Sequence, residues 1–401
     1  MSFRTLIAFI FLIATTALAQ QPERLGIHSN VLNEERVVYV RTPPGYSQGK
    51  AVYPVVYETD APGHISETAG NVDWLVNSNR MPQVIIVGIA NTDRTRDLTP
   101  THWDGKNPDG TVTPFPTSGG ADKFLEFIHT ELMPEIDKRY RTAPYRIFAG
   151  HSLGGLLAIH ALISHPDLFN AYIAVSPSLQ WDNGRTLRQA QEFFASHKEL
   201  NKTLFFSLAS EGNTKNPMAD NFTEFDNLLK THAPKGLRWK MQRYPDEDHG
   251  STVLLAHYAG LKLVFDGWQV PRDENFNVVG GLAGVEKHYK ELSERFGYNI
   301  QVPENTLNNL GYELMGRKLP DQGIATLRRA VELYPNSANV YDSLGEALEG
   351  TGKFDEATQL FQTAIDMAAK TDDANLPQFK QHLVRVTAEA KSAASKSAQA
   401  K

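Results

Sequence analysis

Gly150-His151-Ser152-Leu153-Gly154 decides how this chain is read. Ahead of it runs Tyr145-Arg146-Ile147-Phe148-Ala149, a β-branched and aromatic stretch of strand character. Behind it runs Gly155-Leu156-Leu157-Ala158-Ile159-His160-Ala161-Leu162, with apolar residues at helical spacing. A serine on a glycine-flanked turn between a strand and a helix is a nucleophile elbow. The glycines are needed because the turn is tight and neighbouring Cβ atoms would collide.

The flanking sequence supports a mostly parallel sheet with helices on both faces. Strand-like runs recur at Arg36–Val40, Tyr53–Tyr57, Val84–Gly88, Ala171–Val175, Leu204–Leu208 and Leu237–Met241. Such near-continuous apolar runs, separated by helical stretches, mark strands buried on both sides. Ala121–Tyr140 reads as an amphipathic helix with Phe124, Phe127, Ile128, Leu132 and Ile136 on one face. Residues 92–120, rich in Thr, Pro, Gly and Asp, read as a long loop of the kind that walls an active site.

A serine needs a base, and the base needs an orienting group. On a sheet of this kind the chain order is serine, acid, histidine. Glu211 follows the Leu204–Leu208 strand and His249 lies in the loop after the last strand. They are the expected acid and base, with Asp220, Asp246 and Asp248 in reserve for the acid. His151 reads as packing or cleft wall, His160 and His165 as remote, and His257 as structural. An oxyanion needs two backbone donors. Leu153 at the helix N-terminus is the first. Ala61, in the Glu58-Thr59-Asp60-Ala61-Pro62-Gly63 loop, is the expected second, because Pro62 has no N–H.

The ends of the chain read differently. Met1–Arg4 is a short basic segment, Leu6–Leu18 is apolar, and Ala17-Leu18-Ala19 is an A-x-A site. That pattern predicts a cleaved secretory signal over 1–19 and a protein exported to a bacterial periplasm or the exterior. The apolar run is short for a bilayer span, and no later stretch looks transmembrane. There are no cysteines, hence no disulfide or thiolate metal site. The net charge of −6 becomes −7 once Arg4 is lost with the leader, which argues against nucleic-acid binding. At 401 residues and 41% hydrophobic content, two domains are expected.

The style changes near residue 270. From 303 to 371 two helical repeats follow, with Leu310 and Leu344, and Ala330 and Ala364, each 34 residues apart. That is the tetratricopeptide period, and such arrays offer a surface for a protein partner. A helical linker is expected over 271–302, a capping helix over 372–391 and a disordered tail over 392–401, beside a catalytic domain over 25–270.

Several motifs in order resemble the esterase-D-like esterase family of α/β-hydrolases, over about residues 25–270. They are Tyr53–Tyr57 leading to Asp60, Arg94–Pro100, Gly150–Gly155, Ser176-Pro177-Ser178 with Trp181, and Asp248–Ser251. That family includes siderophore esterases of the enterochelin type, feruloyl esterases, S-formylglutathione hydrolases and mycolyltransferases, and the siderophore-esterase branch is nearest. The resemblance implies a serine carboxylic-ester hydrolase that works on a small ester through an acyl-enzyme, without metal or cofactor. Acyl transfer to a sugar or lipid alcohol, or a repeat-based scaffold, are the rival functions. It also implies that Asp60, Arg94, Arg96, His151 and Trp181 line the substrate cleft, although pairing of the arginines with nearby carboxylates and ordinary packing of Trp181 remain open. The family follows that Asp with Gly, where this chain has Ala61-Pro62-Gly63.

Overall fold

The computed structural model describes residues 21–48, 50–106, 110–211, 217–371 and 373–399. The expected signal segment lies outside them. The chain divides into two units, one ending at Trp268 and the other beginning at Gln269.

The first unit is built on eight strands: β1 (Glu23–Ser29), β2 (Glu34–Arg41), β3 (Tyr53–Ala61), β4 (Ile85–Ala90), β5 (Thr142–His151), β6 (Ala171–Val175), β7 (Thr203–Ala209) and β8 (Arg238–Tyr244). Their order across the sheet is β1-β2-β4-β3-β5-β6-β7-β8. β1 and β2 form an antiparallel hairpin, β2 runs antiparallel to β4, and every other neighbouring pair is parallel. Every residue of β6 and β7 is buried, and so is every residue of β3 except Asp60. That two-sided burial is why these strands read as unbroken apolar runs. In such sheets the groups at the carboxyl ends of the strands form the binding crevice, and the ends of β3, β5, β6 and β7 carry the residues described below.

Three local features differ from the reading of the sequence. The stretch from Ala121 is helical to Arg139, but a π-helical turn over Ile128–Leu132 interrupts it. The segment 92–120 contains a short helix, Arg94–Leu98, capped by the Asp93 side chain on Arg96 N–H. β1 had no counterpart among the expected strands.

The second unit is helical. Glu304–Gly316 pairs with Pro320–Leu333, and Ala338–Glu349 with Phe354–Ala368. A Cβ on Gly311 would lie 2.5 Å from Leu327, and one on Gly345 2.8 Å from the Phe361 ring. Each pair of helices therefore closes on a glycine, and both the glycines and their partners repeat at 34 residues. Gly281–Phe296 precedes the array. Leu376–Gln399 follows it, burying Val386 in a cluster with Leu348 and Phe361. The tail expected to be disordered from 392 therefore continues this helix to Gln399. Among the described residues no helix is long and apolar enough to cross a membrane.

Candidate active site

Ser152 stands between the end of β5 and the helix Leu153–Ser164, at φ 60° and ψ −114°. Positive φ strains any residue other than glycine and persists only where the surroundings impose it. Here Ser152 N–H donates to Val175 O at 2.9 Å, and its carbonyl accepts from Ser178 N–H and Leu156 N–H. The flanking glycines are sterically required. A Cβ on Gly150 would sit 2.3 Å from Gly154 O, one on Gly154 2.3 Å from Thr59 Oγ1, and one on Gly155 2.9 Å from Val175 O. Asp60 (φ 65°) and Ser176 (φ 40°) share the positive-φ region at the ends of β3 and β6.

The expected base and acid meet. His249 Nδ1 lies 2.8 Å from Glu211 Oε2, with the carboxylate side chain 6% exposed and the imidazole 38%. Their two loops are clipped together where Ser210 N–H donates to Glu247 O at 2.8 Å. Burial raises the Glu211 carboxyl, but hydrogen bonds from His249 and Ser176 and the charge of the imidazole outweigh it, leaving it below its usual range. The carboxylate on His249 Nδ1 is that of Glu211 and not that of a reserve acid. Asp248 Oδ1 accepts from Gly250 and Ser251 N–H within its own turn, and Asp220 and Asp246 are exposed. The Ser152 hydroxyl has Ser178 Oγ as its hydrogen-bond partner, at 3.3 Å. Ser178 is buried, with 5% of its surface exposed; among the motifs read from the sequence it carried no role of its own.

His151 and His64 extend this centre. The His151 ring lies 4.5 Å from that of His249 and 5.7 Å from that of His64, centroid to centroid. Burial, with the nearby His249 and His64, pushes His151 down to about 4.

The other expected site residues divide. Leu153 is the first residue of its helix, where the N–H has no intrahelical partner and the helix dipole is positive. Ala61 is a rung of the sheet, paired with Ala90 of β4. A parallel rung there cannot draw on Pro62, which lacks an N–H, so the Ala61 N–H is spent on the ladder. This corrects its assignment as the second oxyanion donor.

Asp60 accepts from Arg94 Nε at 2.6 Å and from Asn91 Nδ2 at 2.7 Å. Burial raises its carboxyl, and the Arg94 hydrogen bond and charge bring it below the usual range. Arg94 also donates to His151 O at 3.2 Å. It therefore ties the end of β3 to the end of β5. Arg96 is corrected. Its guanidinium bonds Glu34 at 2.6 and 3.0 Å and Asp97 at 2.7 Å, in a cluster that the buried Arg36 completes through Asp97. Trp181 follows the second of its two readings, ordinary packing. It is 4% exposed, donates Nε1–H to Thr101 O at 3.1 Å and packs on Trp103 and Phe115. Its ring is packing, not cleft wall.

The sheet order, the crossover at β3 and β5 and the serine turn define an α/β-hydrolase. Residues 29–237, more than half of the chain, match the family model described as "Putative esterase", and the chain belongs to that family. Residues 338–371 match a tetratricopeptide repeat model. The chain is 32% identical over 260 residues to the ferri-bacillibactin esterase BesA of Bacillus subtilis, which covers 59% of this chain and 88% of that protein. It is 31% identical to the siderophore enterobactin esterase of Emericella nidulans, over 44% of this chain and 70% of that one. The crystal structure of an IroE-like serine hydrolase from Shewanella oneidensis superposes with a TM-score of 0.68 at 31% identity, covering 78% of this chain and all of the other. The protein is a carboxylic ester hydrolase, and its substrate is a small-molecule ester.

Proposed function

We propose that Ser152, His249 and Glu211 hydrolyse a siderophore or aromatic ester through an acyl-enzyme. The His249–Glu211 hydrogen bond of 2.8 Å, behind a serine held at positive φ, is the observation that carries this reading. A turn of the Ser152 hydroxyl away from Ser178 and towards His249 starts the reaction, since such contacts tighten only with substrate bound. Ser152 Oγ attacks the ester carbonyl as His249 takes its proton. Ionised Glu211 holds the ring by Nδ1 and stabilises the imidazolium. Leu153 N–H and the helix N-terminus stabilise the oxyanion. The tetrahedral intermediate collapses as His249 protonates the leaving alcohol. Water, deprotonated by His249, then releases the acid and restores the serine.

Two relatives are named for siderophore esters, which supports that substrate class. The apolar Leu6–Leu18 segment and Ala17-Leu18-Ala19 support export, and the repeat unit supports a protein partner. Ser152→Ala should abolish p-nitrophenyl acetate hydrolysis and fluorophosphonate labelling; undiminished labelling would overturn the nucleophile. In an ester panel, a trilactone siderophore should give a higher kcat/KM than feruloyl esters or acetylated sugars. A preference for acetylated sugars would refute the substrate class.

A further inference from the structure

Asp122, His160 and His165 converge away from the reacting serine. His160 lies on the buried side of the helix Leu153–Ser164, 4% exposed, and His165 is the residue that ends that helix. Asp122 is the second residue of the helix Ala121–Phe127. His160 Nε2 and His165 Nε2 lie 2.8 and 3.0 Å from the same carboxylate oxygen, Asp122 Oδ1. All three atoms fall within 4.8 Å of one another.

The two contacts to Asp122 are of hydrogen-bond length, and the donors need to open by only about 0.5 Å to surround a metal ion. Zinc binds imidazole nitrogen and carboxylate oxygen at about 2.0–2.2 Å, and donors at that radius stand roughly 3–3.5 Å apart. Two imidazoles and one carboxylate favour zinc, nickel, cobalt or copper over magnesium and calcium. Ser164 Oγ lies 3.3 Å from His160 Nδ1. There it can accept an Nδ1–H, the tautomer that leaves the Nε2 lone pair for a metal. The His165 and Asp122 side chains are 40% and 63% exposed, which leaves an entry path and room for water.

A second group of this kind, Asp342, Glu346 and His382, occurs in the repeat unit. There Arg385 stands 3.5 Å from Glu346 and 2.6 Å from Glu349, so a cation already occupies that neighbourhood. Among the described residues, no lysine or arginine is ion-paired with Asp122.

We propose that Asp122, His160 and His165 form a binding site for one divalent transition-metal ion of the zinc class, with water completing its coordination. Ser152 precedes the twelve-residue helix and His165 ends it, so roughly 18 Å of helix axis separates the two. The ion therefore takes no part in ester chemistry. It cross-links the helix beginning at Ala121 to the far end of the helix that carries the elbow.

The test is a zinc titration of untagged full-length protein by calorimetry, with the melting temperature read alongside. One ion should bind per chain, and a hundredfold excess over Kd should raise the melting temperature by roughly 5–10 °C. Asp122→Asn and His165→Gln should each weaken binding at least tenfold, with ester hydrolysis retained. His382→Gln should leave binding unchanged. Because His165 is partly exposed at a helix end, its variant keeps the test open if a change at His160 disturbs the core. Absence of binding below millimolar zinc, binding unaltered by Asp122→Asn and His165→Gln, or loss of binding in His382→Gln would each overturn the proposal.

Discussion

Glu58 sits in the middle of the core and sets a pH liability that can be measured. It is 1% exposed on β3, immediately before Thr59 and Asp60. Thr68 Oγ1 donates to its Oε2 at 2.6 Å, and the same hydroxyl lies 2.9 Å from His257 Nδ1. Burial pushes the Glu58 carboxyl from 4.5 up to about 8; the Thr68 hydrogen bond opposes this, and the charges of Glu67 and Asp60 add to it. The folded chain thus keeps a proton that the unfolded chain loses above 4.5. The stability that this group contributes is complete below pH 4.5 and is lost as pH rises through 8, at about 1.4 kcal/mol per pH unit. Over that whole window the loss is about 5 kcal/mol, of which about 3 has gone by pH 7. Glu58→Gln keeps an oxygen for Thr68 and cannot ionise. Relative to the parent protein it should therefore gain up to about 5 kcal/mol between pH 4.5 and 8. His257, pushed down to about 3 by burial and by His64 and His151, loses stability in the opposite direction, below 6.5, in both proteins, and cancels in the difference. All five tryptophans lie before Gln269. Urea unfolding followed by tryptophan fluorescence therefore reports on the hydrolase unit alone. A difference between the two proteins that stays constant within about 1 kcal/mol from pH 5 to 8.5 would refute the reasoning.

Three further outcomes follow from the site. Glu211→Gln should lower kcat on the order of 10^3–10^4-fold by unsettling the His249 tautomer; steady-state kinetics within twofold of the parent would remove Glu211 from the acid role. Gly154→Ala places a Cβ 2.3 Å from Thr59 Oγ1 and should cost about 10^2-fold in kcat by displacing the elbow. Adding Thr59→Ala removes the colliding hydroxyl and should restore much of the loss, whereas no rescue would locate the damage elsewhere. Arg96→Gln should cost about 1–3 kcal/mol of stability by opening the Glu34–Asp97 cluster, with KM unchanged. A KM shift beyond threefold in ester kinetics would return Arg96 to the cleft.

The sequence was most legible where one physical cause dominates. Burial on both faces writes β3, β6 and β7 as apolar runs, and the elbow glycines are dictated by backbone contacts a few residues away. Glu211 and His249 could be found because loops after successive parallel strands gather at one edge. β1 was hidden because Glu23-Arg24-Leu25-Gly26-Ile27-His28-Ser29 is an edge strand with only Leu25 and Ser29 buried. The π turn at Ile128–Leu132 leaves the apolar face almost unchanged, so periodicity does not report it. Arg96 and Trp181 were ambiguous because what decides them is distant in the chain: Glu34 lies 62 residues from Arg96, and the Thr101 carbonyl 80 from Trp181. Ala61 depended on register, which only the pairing with Ala90 reveals.

The histidines beside the elbow explain why His151 is kept neutral. To act as base, His249 must become an imidazolium while its ring lies 4.5 Å from that of His151. A second positive charge at that separation would oppose it by about 4 kcal/mol at an effective dielectric of 20, on the order of a thousandfold in rate. His151 escapes this because burial, reinforced by His249 and His64, holds it down to about 4. Arg94 brings a permanent charge close to the same point, donating to the His151 carbonyl at 3.2 Å, but that charge is paired with Asp60 at 2.6 Å. On the other side of His249 stands Glu211, held below the usual carboxylate range and therefore ionised at neutral pH. The imidazolium thus forms between one anion and one neutral ring. An apolar residue at position 151 would meet that electrostatic requirement equally well, so the imidazole is distinguished by its remaining polar atom. The ring hydrogen-bonds the backbone of His249, a tie between the elbow and the base loop that a hydrocarbon side chain could not make. The positive φ of Asp60, Ser152 and Ser176 likewise concentrates backbone strain within the few residues around the nucleophile.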